Sequence, residues 1–354
     1  MRHRRIIVTH YGGPDALRVL EEECPEPKDG EVRVKVLAAG VSLPDVMMRE
    51  GIHPETPGLP FTPGWDLVGV VDRLGARVSG IEPGQIIAAL PIRGVYADFV
   101  CLPQHELVPV PSGLDASEAV CLVLNYVTAY QMLHRSAKVR QGQRVLIHGA
   151  VGGIGSALLQ LGRVARLEMY ATCSSREAAA VSAMGGIPID YEHQDFVKEV
   201  YRHTSEGVDV VFDGIGGPHI WRSRKTLRPG GMVVAYGLTS SLRGGRLASG
   251  RPGRRQRFRR LAIFGLYIAG GWFLPGRKRV VPYSIQWLKR LKPALFRQDL
   301  IALFDLLRQK EIKPLIAQRF PLAEARAAHE LLGKGGVTGK IVLVCVPSLE
   351  SAVA

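Results

Sequence analysis

What is scarce in this sequence narrows its class before any motif is read. Its five cysteines (Cys24, Cys101, Cys121, Cys173 and Cys345) lie far apart, with no Cys-x-x-Cys pair and no even framework. That argues against a disulfide scaffold or a cysteine zinc cluster and for a reducing, cytoplasmic compartment. No apolar run reaches the ~20 residues of a membrane span. The longest, Leu261 to Pro275, is broken by Gly265, Gly270 and Gly271. The opening MRHRRIIVTHYGG is basic but has no apolar run of signal-peptide length. Acidic residues are missing altogether between Gly214 and Gln298, where nineteen Lys or Arg stand. That block accounts for the whole net charge of +14 and leaves the remainder mildly acidic, a distribution unlike that of a general nucleic-acid binder.

What is present is 354 residues, 46% of them hydrophobic, enough for about two domains with real cores. The chain is organised around Arg144 to Gly162, RVLIHGAVGGIGSALLQLG. Val145 to His148 read as a buried strand, and Ser156 to Leu161 carry a helical pattern. Between them AVGGIG, from Ala150 through Gly152, Gly153 and Ile154 to Gly155, is an AxGGxG turn. A strand, a tight glycine turn and a helix N-terminus together make an anion site, because free N–H groups and the helix dipole converge where no Cβ blocks a pyrophosphate.

Before this stretch the chain leans towards β structure. Glu31 to Leu37 alternates as a half-buried strand, and Asp66 to Val71 and Ile86 to Leu90 are further strands. From Asp115 or Ser117, either able to cap, a helix follows on Ala119, Leu122, Val123, Tyr126, Val127 and Tyr130. After the turn, strands at Glu168 to Thr172, near Ile189, at Val208 to Phe212 and at Met232 to Tyr236 alternate with helices, the pattern of a doubly wound parallel sheet. Ligands of such sheets sit at the carboxyl ends of strands, which makes Ser174, Asp213, Gly214 and Gly237 candidate lining residues. The end of the chain reads as a strand (Lys313 to Phe320), a helix (Leu322 to Leu332) and a buried strand (Lys340 to Val346).

Several stretches in this order resemble the medium-chain dehydrogenase/reductases, specifically their zinc-independent quinone oxidoreductase branch. They are AAGVSLPDVMMREG (Ala38 to Gly51), PFTPGWDLVGVV (Pro60 to Val71), YADFVCLP (Tyr96 to Pro103), NYVTAYQML (Asn125 to Leu133), the glycine turn, VDVVFDGIGG (Val208 to Gly217) and VTGKIVLV (Val337 to Val344). The resemblance implies a GroES-like β-barrel domain from residues 1–121 and 314–354. It also implies an inserted Rossmann domain, 122–313, with a basic insertion near 240–298 and the active site in the cleft between. Zinc-dependent relatives place ligands at the positions of Ser42, Trp65 and Leu124. None of these three offers the thiolate, imidazole or carboxylate that zinc takes, and the four-cysteine loop after Leu90 is missing. Without a Lewis acid the expected reaction is hydride reduction of an already polarised acceptor, a quinone or other α,β-unsaturated carbonyl. An enoyl reductase of lipid or polyketide synthesis is one alternative. A membrane-associated nucleotide-binding homologue with little catalysis is another.

NADPH is the expected cofactor. After the second strand come Cys173, Ser174, Ser175 and Arg176, with no carboxylate before Glu177, and hydroxyls plus a guanidinium suit a 2′-phosphate. Tyr191 fits a family tyrosine that reaches the same phosphate; otherwise Arg176 is a solvated helix-start residue. Around the substrate, relatives carry Asn where Ser42 stands and tyrosines where Met47 and His53 stand. Asp45 and Thr128 keep the family residue types. Asp45 either orients a pocket loop or caps a helix. Thr128 either bonds the nicotinamide ribose or substrate, or back-bonds within its helix. His53 is a candidate proton donor. In the basic insertion, Ala262 to Ala269 is either a strand pairing across a homodimer or part of an anionic-membrane contact with Trp272 and Phe273 inserting.

Overall fold

The computed structural model describes residues 1–237 and 278–345, and Cα proximity divides these into two units, 1–127 with 293–345 and 128–237 with 278–292. In the first, β1 (Arg2–Val8) and β2 (Leu17–Glu23) form an antiparallel hairpin. A larger sheet combines β3 (Glu31–Val41), β4 (Leu67–Leu74), β5 (Ile86–Ala89), β6 (Phe99–Pro103) and β7 (Val108–Pro109) with β14 (Ile316–Pro321) and β15 (Lys340–Val344) from the other end of the chain. Its order is β14-β15-β3-β4-β5-β7, with β6 also on β3. Because β4, β6 and β15 all pair with β3, that strand outruns its expected end at Leu37 and is buried at nearly every position from Val32. At its far end, AAGV lets neighbours close in. A Cβ at Gly40 would collide with the Lys340 side chain and Asp66 Oδ1.

Asp115 caps the helix as expected, accepting from the Glu118 N–H at 2.9 Å. The helical stretch then passes through two wide turns, Leu122–Tyr126 and Met132–Ala137, and stops at Lys138, whose φ of +52° is left-handed. The division between units falls inside this stretch, at 127 rather than 121. It also assigns helix Pro293–Arg308 to the first unit, where the sequence reading began the return only at 314. The reason is its apolar stripe: Phe296, Leu300, Leu303, Phe304 and Leu307 are buried, and the helix packs on β7 and on Leu122–Tyr126.

The second unit is a parallel sheet of β8 (Arg144–His148), β9 (Glu168–Cys173), β10 (Gly186–Asp190), β11 (Val208–Asp213), β12 (Leu227–Ala235) and β13 (Arg279–Pro282). The order β10-β9-β8-β11-β12-β13 reverses direction between β8 and β11, which opens a crevice at their carboxyl ends. Its core includes Leu146, Tyr170, Phe196, Val211, Ile220 and Val233. The five expected strands are present. β12 starts at Leu227, ahead of the expected Met232, and β13 lies inside what the sequence marked only as basic insertion. The expected interface strand 262–269, with Trp272 and Phe273, lies outside the described residues. Among the described residues no helix is long and apolar enough to cross a membrane.

Candidate active site

At the carboxyl end of β8 the chain turns at Gly149, whose φ of +68° is left-handed, and enters the helix Gly153–Val164 with Gly152 as its cap. No side chain caps this helix, so the first-turn N–H groups of Gly153, Ile154 and Gly155 have no intrahelical acceptor. A Cβ at Gly152 would meet nothing nearer than the Gly149 carbonyl oxygen at 3.5 Å, leaving open the space a side chain would fill. A Cβ at Gly155 would instead strike Gly149 O and the backbone of Ala150. One glycine therefore keeps the cradle open and the other lets the helix pack on the turn, a construction that fits a dinucleotide pyrophosphate. Ala150 is buried within it.

The end of β9 is more crowded than the sequence suggested. Ser174 donates its hydroxyl to Glu177 Oε2 at 2.8 Å, and its N–H reaches the same oxygen at 2.8 Å, a capping box over the next turn. The Ser175 hydroxyl donates to Asp190, which also accepts from the Glu192 N–H and pairs with His193 at 2.8 Å. These hydrogen bonds hold the Asp190 carboxyl down at about 2. Arg176 is exposed and has no ion pair among the described residues. Tyr191, also exposed, is anchored by its N–H to the Cys173 carbonyl at 3.2 Å. Of the four groups expected to read a 2′-phosphate, two hydroxyls are thus already donating to carboxylates.

Asp213, at the end of β11, serves the fold with both oxygens. Oδ1 accepts from the N–H groups of Ile215 (2.8 Å) and Gly216 (2.9 Å), while Oδ2 faces His219 (3.0 Å) and accepts from Ser223 (2.7 Å). Burial opposes ionisation there, yet the His219 contact and the neighbouring imidazoles and amides hold the carboxyl well below the usual range. The same network reaches His148, buried directly before the turn. Burial pushes His148 down to about 3, so it is neutral. Since the Ser223 hydrogen goes to Asp213, Ser223 accepts from His148 Nε2 at 3.1 Å, and Nδ1 accepts from Thr172 Oγ1 at 3.0 Å. This network underpins the strand ends around the crevice, and a histidine inside an apolar strand was the only sequence hint of it. Gly214 and Gly237 meet backbone to backbone, since a Cβ at Gly237 would strike the Gly214 carbonyl.

In the first unit, Ser42 caps the helix Leu43–Arg49 and Asp45 completes the capping box. Ser42 Oγ donates to Asp45 Oδ2 at 2.5 Å and the Ser42 N–H to the same oxygen at 2.9 Å, while Asp45 Oδ1 accepts from the Gly64 N–H at 2.9 Å. Asp45 therefore caps the helix and also pins the loop that carries Trp65. The His53 ring stands edge-on to Trp65, centroids 5.5 Å apart, and His53 Nδ1 accepts from the Glu55 N–H at 3.2 Å. Trp65 is 3% exposed, yet its indole Nε1 has no hydrogen-bond partner among the described residues. Beside it, buried Asp66 is paired with buried Lys340 at 2.7 Å, an ion pair that joins two distant stretches and that no sequence pattern announced.

Thr128 opens the second unit with its Oγ1 buried and without a partner among the described residues, which removes the back-bonding alternative. A buried hydroxyl without a partner costs stability unless a ligand satisfies it, so Thr128 fits a polar group brought from outside.

Comparison with known proteins finds two matching stretches, the second of which runs from the second unit back into the first. Residues 28–112 match a family model described as an alcohol dehydrogenase GroES-like domain, and residues 186–343 one described as a zinc-binding dehydrogenase. The human synaptic vesicle membrane protein VAT-1 homolog-like is 30% identical over 352 residues, covering 96% of this chain and 80% of that protein. Human quinone oxidoreductase is 27% identical over 347 residues, covering 96% and 97%. Among solved structures, a mycobacterial protein complexed with NADPH superposes with a TM-score of 0.81 at 27% identity, covering 97% of this chain and all of that one (100%).

Proposed function

The chain belongs to the medium-chain dehydrogenase/reductase superfamily, in its quinone oxidoreductase-like branch, and from that membership we propose that this oxidoreductase reduces a quinone or other α,β-unsaturated carbonyl with NADPH and without zinc. The observation that carries the reading is the residue set at the three metal-ligand positions. Ser42 is engaged in a capping box, Trp65 is an indole and Leu124 is aliphatic, so none is a zinc ligand. The acceptor must then arrive polarised, as quinones and enones do.

A nicotinamide dinucleotide bound at the glycine turn supplies the hydride. The chain's own residues do the rest. The first-turn amides of Gly153, Ile154 and Gly155 hold the pyrophosphate, and the Thr128 hydroxyl bonds ribose or substrate. The Trp65 indole N–H and the Ser42 hydroxyl orient the acceptor carbonyl, with His53 beside them. Purified protein should oxidise NADPH in the presence of quinones or enones, acyl-thioester enones included, since an enoyl reductase uses the same polarised alkene. Elemental analysis should find well under one zinc per chain, and chelators should leave turnover unchanged. About one zinc per chain overturns the zinc-free assignment.

The preference for NADPH rests on Arg176. A charge-assisted contact to a 2′-phosphate is worth about 1.5–3 kcal/mol, so Arg176→Ala should weaken NADPH by about one to two decades and leave NADH unmoved. Asp190→Ala should act the other way, removing a carboxylate and releasing the Ser175 hydroxyl. Equal losses for both nucleotides in Arg176→Ala would reduce the assignment to either cofactor.

We extend the proposal to a homodimer and to peripheral binding on an anionic membrane. The second is supported by the helix Ile285–Leu291, which exposes Trp287 (67%) and Leu291 (77%) one turn apart beside Arg290 and Lys292. The protein should sediment with anionic vesicles at low salt and not with neutral ones. Trp287→Ala with Leu291→Ala should lower that partition by about tenfold or more. Protein that stays in the supernatant with anionic vesicles overturns the membrane contact.

A further inference from the structure

We propose that Ser42 and Asp45 form the acid pair that completes the reduction: Ser42 Oγ gives its proton to the reduced product while Asp45 refills Ser42 in the same step. This rests on the reductase reading above and adds the proton source that reading lacks. Hydride addition to a quinone or enone leaves an oxyanion. The oxyanion takes the Ser42 proton as Ser42 Oγ takes the Asp45 proton, so no free alkoxide forms. The balance is acceptor plus NADPH plus the Asp45 proton, giving reduced product, NADP⁺ and an Asp45 carboxylate. Water restores the proton once the product has left.

The geometry is built for such a transfer. Ser42 Oγ and Asp45 Oδ2 are 2.5 Å apart: Ser42 donates to the carboxylate, and once Asp45 is protonated the bond reverses and frees the Ser42 hydrogen, while the N–H groups of Ser42 and Gly64, both at 2.9 Å, fix the carboxyl in place. Asp45 is fully buried and Ser42 is 8% exposed, so of the two only Ser42 keeps any exposure. Gly64 leads directly into Trp65, whose buried indole N–H lacks a partner among the described residues. Of the groups facing Asp45, Lys340 and the hydrogen bonds from Ser42 and Gly64 favour the carboxylate, while Asp66, to which Lys340 is committed, disfavours a second negative charge beside its own. Tyr96 is buried and stays a phenol. Behind it His329 Nε2 lies 3.4 Å from the Tyr96 hydroxyl, and Arg49 Nη1 lies 3.1 Å from His329 Nδ1. A guanidinium only donates, so His329 keeps its hydrogen on Nε2 and turns it towards Tyr96. Burial first, and Asp66 next among the groups that raise it, push Asp45 up to about 7, the range that suits a proton donor at neutral pH.

Asparagine at position 45 supplies one acceptor, enough for the Ser42 N–H, but gives up the bond from the Gly64 N–H, so Asp45→Asn is read beside Ser42→Ala, which leaves that bond in place. In difference infrared spectra of the unliganded protein, one carboxylic acid band should titrate near neutrality, vanish in Asp45→Asn and shift in Ser42→Ala. In turnover with a quinone, kcat should fall about tenfold per pH unit above about pH 7. Both variants should lose about a hundredfold in kcat and lose that limb, with the KM for NADPH unchanged. Ser42→Ala keeps the Gly64 bond to Asp45, so it remains informative if Asp45→Asn folds poorly. A band ionised from about pH 5 to about pH 9 overturns the pair, as does an alkaline limb unchanged in Ser42→Ala. No turnover by the parent with any acceptor overturns the reductase reading, and the donor role falls with it.

Discussion

Gly152→Val weakens nicotinamide dinucleotide binding by about a hundredfold or more, while the melting temperature stays within a few degrees of the parent's. The two halves of that result have separate causes. The backbone at 152 (φ −64°, ψ 171°) is an extended conformation open to any residue, and the nearest atom to a new Cβ is 3.5 Å away, so the protein itself accommodates the side chain. What the side chain fills is the approach to the first-turn amides. A phosphate pushed off those amides loses charge-assisted hydrogen bonds of about 1.5–3 kcal/mol each, and two such losses exceed two decades. Gly155→Val is the contrasting case, because its Cβ strikes the Gly149 carbonyl and the Ala150 backbone and the turn must move. It should lose stability and binding together. Tryptophan quenching with NADPH, run beside a thermal melt, separates the two variants, and an unchanged dissociation constant in Gly152→Val would put the cofactor elsewhere.

The largest expected effect on stability belongs to Lys340. Its ammonium sits 2.7 Å from Asp66 Oδ2, with both side chains almost wholly removed from water. Lys340→Met leaves Asp66 as a buried charge without its counter-ion, a situation that costs about 3–5 kcal/mol. Urea titration at pH 7 reads this directly. An acid without its partner binds protons more tightly in the folded chain than in the unfolded one. Its folded form is therefore favoured at low pH, and that advantage is lost as pH rises past the unfolded value of about 4. The deficit of Lys340→Met should accordingly shrink in acid. Adding Asp66→Leu should recover part of it, because the buried charge is then gone. A loss below about 1 kcal/mol would mean that water reaches the pair.

The parallel sheet was legible in the sequence because its signals are local. Val145 to His148 and Val208 to Phe212 are short, mostly apolar runs followed closely by glycines, and each became a strand within a residue of its expected bounds. Candidate site residues were legible where one residue type carries the chemistry, as at Gly152 and Gly155. The missed features depend on partners far along the chain. Ser175 reads as a free hydroxyl until Asp190, at the end of the next strand, takes it. Nothing around Lys340 points to Asp66, or around Arg49 to His329, because such pairs exist only once strands and helices are assembled. Asp45 is an intermediate case: its spacing from Ser42 is a capping box on sight, but its hold on Gly64 is not. Helix Pro293–Arg308 was absorbed into the neighbouring unit because the basic block before it obscured where one pattern ended.

The pairing of β15 with β3, Ile341 opposite Val41 and Val344 opposite Ala38, has a consequence for the order of assembly. As the chain leaves the ribosome, β3, β4 and β6 emerge early, yet the Ala38–Val41 part of one β3 edge has no partner until about three hundred further residues are made. Over the same interval Asp66 has no ammonium to answer it, so closing that part of the sheet early would strand a charge in its interior. The parallel sheet that follows needs nothing from either end and can fold while the first unit waits. The unit begun first is thus the one finished last. Its completion depends on contacts of very long sequence separation, the kind that slow folding most, and the last of them to form supplies the lysine.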